Sequence, residues 1–63
     1  MKPYPASTKI KVVSTEATTP KAPEINATGT VLRSVYNGDT IVLTVDIGGA
    51  IYWIPQSNVE IVT

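Results

Sequence analysis

The 63-residue chain contains no cysteine and no histidine. Disulfide bonds and thiolate metal sites are therefore excluded, and histidine is missing both as a zinc ligand and as the commonest general base. Phenylalanine is absent as well, so the aromatic residues are three tyrosines and one tryptophan. These absences predict a protein that is not an enzyme and that uses no metal and no cofactor.

Long hydrophobic runs are also missing. No segment approaches the ~18 consecutive apolar residues of a membrane-spanning helix. Residues 1–5 are not followed by the apolar core of a signal peptide. We therefore expect no membrane partner and a cytoplasmic location. The length allows one domain, and a domain of about 60 residues buries only roughly 60% of the surface that its unfolded chain exposes.

The residues that are abundant favour β-structure. Eight valines, seven isoleucines and nine threonines make up 24 of the 63 residues. Residues 1–9, with two prolines, are interpreted as an extended N-terminal arm, and residues 15–26, which lack periodicity, as one long loop. The predicted strands are residues 10–14, 28–36, 40–47, 50–54 and 59–62.

The clearest local signal is a hairpin. Asn37-Gly38 is typical of a type I′ turn, Gly48-Gly49 predicts a second tight turn, and residues 56–58 have the length of a single 3₁₀ turn. Between the two glycine turns, apolar side chains alternate with mostly polar ones, which predicts a strand with one buried face. The predicted inner lining is Ile41, Leu43, Val45 and Ile47.

Five strands in so short a chain predict a bent sheet that curls into a small barrel. The segment from Ile54 to Val62, preceded by Gly48-Gly49, resembles the glycine, Ile-Pro, 3₁₀ turn and Val-Glu ending of SH3 domains. The long loop lies where that family has its RT loop. The resemblance implies an all-β, five-stranded SH3-like barrel over residues 10–63, with residues 1–9 as the arm.

Two departures bear on function. In SH3 domains a tyrosine of the 3₁₀ turn contributes to the shelf that binds proline-rich peptides, and Asn58 takes that place here. The loop of residues 15–26 also has no aromatic residue. Recognition of proline-rich peptides is therefore not expected. A fold that serves many roles does not define one by itself.

The aromatic residues are the candidates for binding. Tyr52 and Trp53 are adjacent in a strand, so one of them faces outward. Pairing with Ile51 places Trp53 on the core side, whereas pairing of Tyr52 with Ile54 gives the opposite arrangement. Exposed aromatic rings are enriched in protein interfaces. The candidate partner or ligand site therefore comprises Tyr36, Tyr52, Trp53, Arg33 and Asn58.

Charge separates the functional hypotheses. The net charge is zero, but residues 1–21 carry four lysines and one glutamate, whereas residues 22–63 carry one arginine and four acidic residues. The leading hypothesis is a non-catalytic module that docks to a protein partner, of the kind found as an accessory or inhibitory protein of a phage or mobile element. The alternative is a homo-oligomer that holds a small anionic ligand, such as a nucleotide, near Gly48-Gly49 with Arg33 or the N-terminal lysines. Nucleic-acid binding is disfavoured because no overall basic charge supports it.

Overall fold

The computed structural model describes residues 2–16 and 22–62, and within them the fold is all-β. Five antiparallel strands form one sheet in the order β4-β3-β2-β1-β5. Their bounds are β1 Lys9–Val12, β2 Thr28–Asn37, β3 Thr40–Ile47, β4 Ala50–Pro55 and β5 Val59–Ile61, with a 3₁₀ turn at Gln56–Asn58 between the last two. The predicted fold class and all five predicted strands are confirmed, with shifts of one or two residues at some ends. Residues 17–21 of the predicted long loop lie outside the described residues.

Two tight turns connect the three central strands. Ile47 pairs with Ala50, so Gly48 and Gly49 form a two-residue turn, and their φ angles of +61° and +90° fit type I′. The first hairpin differs from the prediction. Asn37 pairs with Thr40, so its turn residues are Gly38 and Asp39, and only Gly38, with φ +65°, is left-handed. This pattern fits type II′, because the glycine occupies the first turn position rather than the second.

The core forms on one face of this sheet. Leu43 and Val45 are fully buried, Ile41 is nearly so, and Ile47 packs against them while half-buried. The predicted inner lining of β3 is therefore confirmed. The other buried apolar residues come from four strands and are Ile10, Val12, Val31, Ile54 and Val59. Each such side chain contributes roughly 1.5–3 kcal/mol relative to exposure.

An irregularity in β2 changes which of its residues face the core. Val31 pairs with Val45, but Arg33 pairs with Thr44, so Leu32 is an extra residue in β2. A bulge of this kind inverts the alternation beyond it, because side chains in a strand alternate with a period of two. Arg33 would otherwise share the core face with Val31. Instead it faces outward, as does Val35 two residues later.

The N-terminal segment is tied to the 3₁₀ turn by the side-chain amide of Gln56. Gln56 is 3% exposed, and its amide bonds the backbone of Lys2 and Tyr4 at 2.8 and 2.9 Å. Tyr4 also packs against the core. The segment expected to be an arm is thus anchored at the 3₁₀ turn. In the described part of the chain, the structure shows no helix with the length and apolarity to span a membrane.

Candidate docking surface

The side of the central strands that points away from the core carries several exposed apolar residues. The register places the side chains in three cross-strand rows, because residues directly opposite each other project to the same face. One row is Arg33, Thr44 and Trp53. The second is Val35, Val42 and Pro55, and in the third Ile51 lies beside Asp46. We call this surface the outer face, and its residues are Arg33, Val35, Val42, Thr44, Asp46, Ile51, Trp53 and Pro55.

Trp53 is the most prominent apolar residue of the outer face. It is 63% exposed, whereas Tyr52 is half-buried and packs against the core. The expected pairing of Trp53 with Ile51 on the core side is therefore wrong, and the alternative, Tyr52 with Ile54, is right. The cause is the two-residue turn: once Ile47 pairs with Ala50, Tyr52 comes opposite Val45. The sequence signal that identifies the outward ring is the position of Tyr52 and Trp53 relative to the Gly48-Gly49 turn, because that turn sets the pairing of β4 with β3.

Arg33 shares the row of Trp53. Both are opposite Thr44, on its two sides, so their Cα atoms are about 10 Å apart at the usual spacing of strands. The guanidinium group is on an exposed residue. The bulge at Leu32 puts Arg33 beside the apolar part of the outer face, where planar hydrogen bonding and contact with an aromatic ring are both within reach of its long side chain.

Two exposed apolar residues of the outer face were not among the candidates from the sequence. Val35 is 40% exposed and Ile51 is 48% exposed, and both belong to the outer face. The position of Val35 depends on the bulge, so simple alternation from Val31 assigns it to the core. Ile51 follows from the same turn count that identifies Trp53. Together with Trp53, Val42 and Pro55 they form an apolar surface across three strands.

Tyr36 lies elsewhere. It is opposite Ile41, so it projects to the core side of the sheet, but it is 64% exposed near the end of the first hairpin. Tyr52 is on the same side and is held by the core. Of the two candidate tyrosines, only Tyr36 has an available ring, and that ring is on the opposite side of the sheet from Trp53.

Asn58 serves an internal contact in this structure. It is 5% exposed, and its Nδ2 donates to the carbonyl oxygen of Glu16 at 2.6 Å. The backbone carbonyl oxygen of Asn58 accepts the N–H groups of Val13 and Ser14 at 2.8 and 3.1 Å. Asn58 thus connects the beginning of the long loop to the 3₁₀ turn. It is not part of the outer face.

A groove of about 490 Å³ lies where β1, β2 and the end of β3 meet. It is lined by Lys9, Thr28, Gly29, Thr30, Asp46, Gly48 and Val62. The ammonium group of Lys9 donates to the Thr30 hydroxyl at 3.0 Å, and Asp46 Oδ1 accepts the N–H of Gly49 at 2.9 Å. The second bond stabilises the Gly48-Gly49 turn. Of the two cation sources predicted for an anionic ligand, Lys9 lies at this groove and Arg33 does not.

Within residues 2–16 and 22–62, no three acidic side chains come together as metal ligands. No family model, no curated protein and no solved structure matches this chain. The arrangement of its own residues is therefore the basis for assigning a function.

Proposed function

We propose that the chain is a non-catalytic binding module on an SH3-like barrel, and that its outer face docks to a protein partner. The observation that carries the proposal is the joint exposure of Trp53 (63%) and Ile51 (48%) on β4 and of Val35 (40%) on β2, all on one face of the sheet. Contiguous exposed apolar surface of this kind is typical of interaction sites. An accessory or inhibitory role in the cytoplasm, as in phages and mobile elements, is consistent with such a module.

The composition of the outer face resembles the centre of a protein interface. Trp53 supplies a large ring, and buried tryptophans at interfaces commonly account for ~2 kcal/mol or more of the binding free energy. Arg33 lies at the edge of the apolar surface, and arginine is enriched at interfaces together with aromatic residues. Thr44 separates the two and adds a hydroxyl group. The partner predicted by this chemistry has an apolar surface flanked by a hydrogen-bond acceptor for Arg33.

Tyr36 and the loop of residues 15–26 are proposed as a second contact region. Tyr36 is exposed at the hairpin end, and Ile25 in the described part of the loop is 48% exposed. Neither lies on the outer face, so a partner that contacts only the outer face is insensitive to Tyr36→Ala. Loss of binding in both Trp53→Ala and Tyr36→Ala would indicate a partner that wraps around the hairpin.

Photo-crosslinking tests the proposal. We expect a photoreactive phenylalanine analogue at position 53 to yield a discrete adduct with another protein in cells that produce the chain. The same analogue at position 57, an exposed residue of the 3₁₀ turn, is the matched control. Val35→Lys should abolish the adduct while the melting temperature stays within a few degrees of the wild-type value. Adducts of equal yield from positions 53 and 57, or an adduct that survives Val35→Lys, would contradict the proposal.

The groove at Lys9 favours a second candidate function, binding of a small anionic ligand. A ligand phosphate in this groove comes within reach of the Lys9 ammonium group and the Thr30 hydroxyl. Titration with adenosine monophosphate, followed by amide chemical shifts, should then perturb Thr28 to Thr30 and Gly48 first. Lys9→Ala should remove the effect and Lys11→Ala should not. Shifts that are unaffected by Lys9→Ala would contradict this candidate.

A further inference from the structure

Strand β4 is a long, uncharged edge of the sheet. Among residues 2–16 and 22–62 it pairs only with β3, and its six residues include no charged side chain. The other edge, β5, is three residues long and contains Glu60. Natural proteins usually protect exposed edges with charges, prolines or short strands, because unpaired backbone groups recruit another strand. Among these protections β4 has only Pro55, at its end.

The turn before β4 determines which of its backbone groups are free. Ile47 and Ala50 flank a two-residue turn and exchange hydrogen bonds with each other, so Ala50, Tyr52 and Ile54 direct their N–H and C=O groups to β3. The groups of Ile51 and Trp53 then point away from the sheet. Pro55 also falls in this outward set, where its missing N–H breaks no bond with β3.

We propose that a second copy of this chain pairs with β4 in antiparallel orientation, with Tyr52 opposite Tyr52 of the second copy. In this register Ile51 lies opposite Trp53 of the second copy, and each such pair exchanges two hydrogen bonds. The outward N–H and C=O groups of both residues are then all paired, in both copies. The inference rests on the proposed function, because it names a partner for the Trp53 end of the outer face.

Each neighbouring register leaves one outward group of Ile51 or Trp53 unpaired. If Trp53 were at the centre, Ile51 would face Pro55 of the second copy, which has no N–H to donate to the Ile51 carbonyl oxygen. If Ile51 were at the centre, Trp53 would face Gly49, whose N–H already donates to Asp46. The backbone pattern therefore selects the register with Tyr52 at its centre. In that register every outward N–H and C=O group of Ile51 and Trp53 is paired with the second copy.

The side chains agree with this pairing. On the outer face Trp53 comes beside Ile51 of the second copy, and aromatic rings beside β-branched side chains are favourable cross-strand pairs. No charged residue lies on β4, so the two copies bring no like charges into the contact. A contact of six residues per chain buries less than the ~800 Å² per partner of a standard interface. The dimer is therefore expected to dissociate in the micromolar range or above.

Sedimentation equilibrium from about 10 µM to about 1 mM should show a reversible monomer–dimer equilibrium. The amide protons of Ile51 and Trp53 should become protected from hydrogen exchange as the concentration rises, whereas those of Tyr52 and Ile54 are protected throughout. In a mixture of labelled and unlabelled chains, a filtered nuclear Overhauser effect between the two Tyr52 Hα protons should report the register. A monomer at 1 mM, or an effect between other residues, would overturn the inference.

Substitutions separate edge pairing from docking on the outer face. Ile51→Pro removes an outward N–H that makes no bond within the sheet, and we expect the dimer to weaken by at least ~10-fold. Ile51→Lys, which keeps that N–H, should weaken it by charge repulsion and serves if the proline variant does not fold. Val35→Lys, two strands from the edge, should leave dimerisation unchanged. Dimerisation that persists in both Ile51 variants would overturn the inference.

The two proposals fail in different ways. A chain that stays monomeric but still forms the adduct at position 53 with another protein overturns the pairing and supports docking to a different partner. A dimer that loses affinity in Val35→Lys also overturns the pairing, because it indicates contact through the whole outer face. A dimer with protected Ile51 and Trp53 amides that is insensitive to Val35→Lys supports the pairing, whether or not another protein is crosslinked.

Discussion

The buried amide of Gln56 allows a test in which one oxygen replaces one nitrogen. Its Oε1 accepts the N–H of Tyr4 at 2.9 Å, and its Nε2 donates to the carbonyl oxygen of Lys2 at 2.8 Å. In Gln56→Glu, one carboxylate oxygen keeps the bond with Tyr4. The other faces the Lys2 carbonyl oxygen, which is also an acceptor. The variant therefore loses a hydrogen bond and buries a negative charge beside a lone pair.

The expected loss follows from these contacts. A hydrogen bond contributes a net ~1 kcal/mol, and a buried acceptor without a donor costs ~1–3 kcal/mol. The N-terminal segment can detach and become hydrated, which limits the total, so we expect a loss of about 2–3 kcal/mol near pH 7. In a domain of this size each kcal/mol lowers the melting temperature by about 4–8 °C, so the variant should melt about 10–20 °C below the wild-type chain.

The loss should depend on pH with a defined sign. Burial and the neighbouring acceptor raise the pKa of the introduced carboxyl group in the folded state above its unfolded value of about 4.3. The protonated carboxyl can donate to the Lys2 oxygen, as the amide does. The stability deficit is therefore smallest below the unfolded pKa. It grows as the pH rises from there and is complete above the folded pKa.

Thermal melts followed by circular dichroism between about pH 3.5 and pH 8 measure this deficit. Gln56→Met is the matched control, because it removes both hydrogen bonds and adds no titratable group. Its deficit should not follow the pH profile of Gln56→Glu. If Gln56→Glu melts within about 2 °C of the wild-type chain near pH 7, or if its deficit persists unchanged at low pH, the role assigned to the amide is refuted.

Three further substitutions test the fold. Gly29→Ala places a methyl carbon 2.5 Å from the backbone carbonyl oxygen of Asp46. Urea unfolding should therefore show a loss of ~1–3 kcal/mol in the free energy of unfolding. An unchanged free energy of unfolding would contradict this close approach. Leu43→Ala removes a fully buried side chain and should cost ~2–5 kcal/mol, clearly more than Val42→Ala on the outer face. Asp46→Ala removes the acceptor of the Gly49 N–H and should cost ~0.5–1.5 kcal/mol, whereas Asp46→Asn should retain most of the stability.

Local chemistry was sufficient to predict most of the fold. Threonine, valine and isoleucine in alternation specify strands. Glycines mark where the strands reverse, because only glycine adopts left-handed φ angles at low cost. The alternation from Ile41 to Ile47 also assigns the core side of β3, since burial on one face of a strand has a period of two. The SH3-like resemblance and the docking function are not local properties, and they remain predictions.

The amino-acid sequence by itself determined the strands, their order along the chain and the core face of β3. The tertiary structure alone decided that Arg33 and Val35 belong to the outer face. The bulge at Leu32 moves Arg33 and Val35 from the core side to the outer side. No residue pattern in β2 predicts that Leu32 is an extra residue. The burial of Gln56 and Asn58 is likewise a tertiary result, because each amide bonds backbone more than 40 residues away in the chain. Such contacts exist only after the sheet has brought distant segments together.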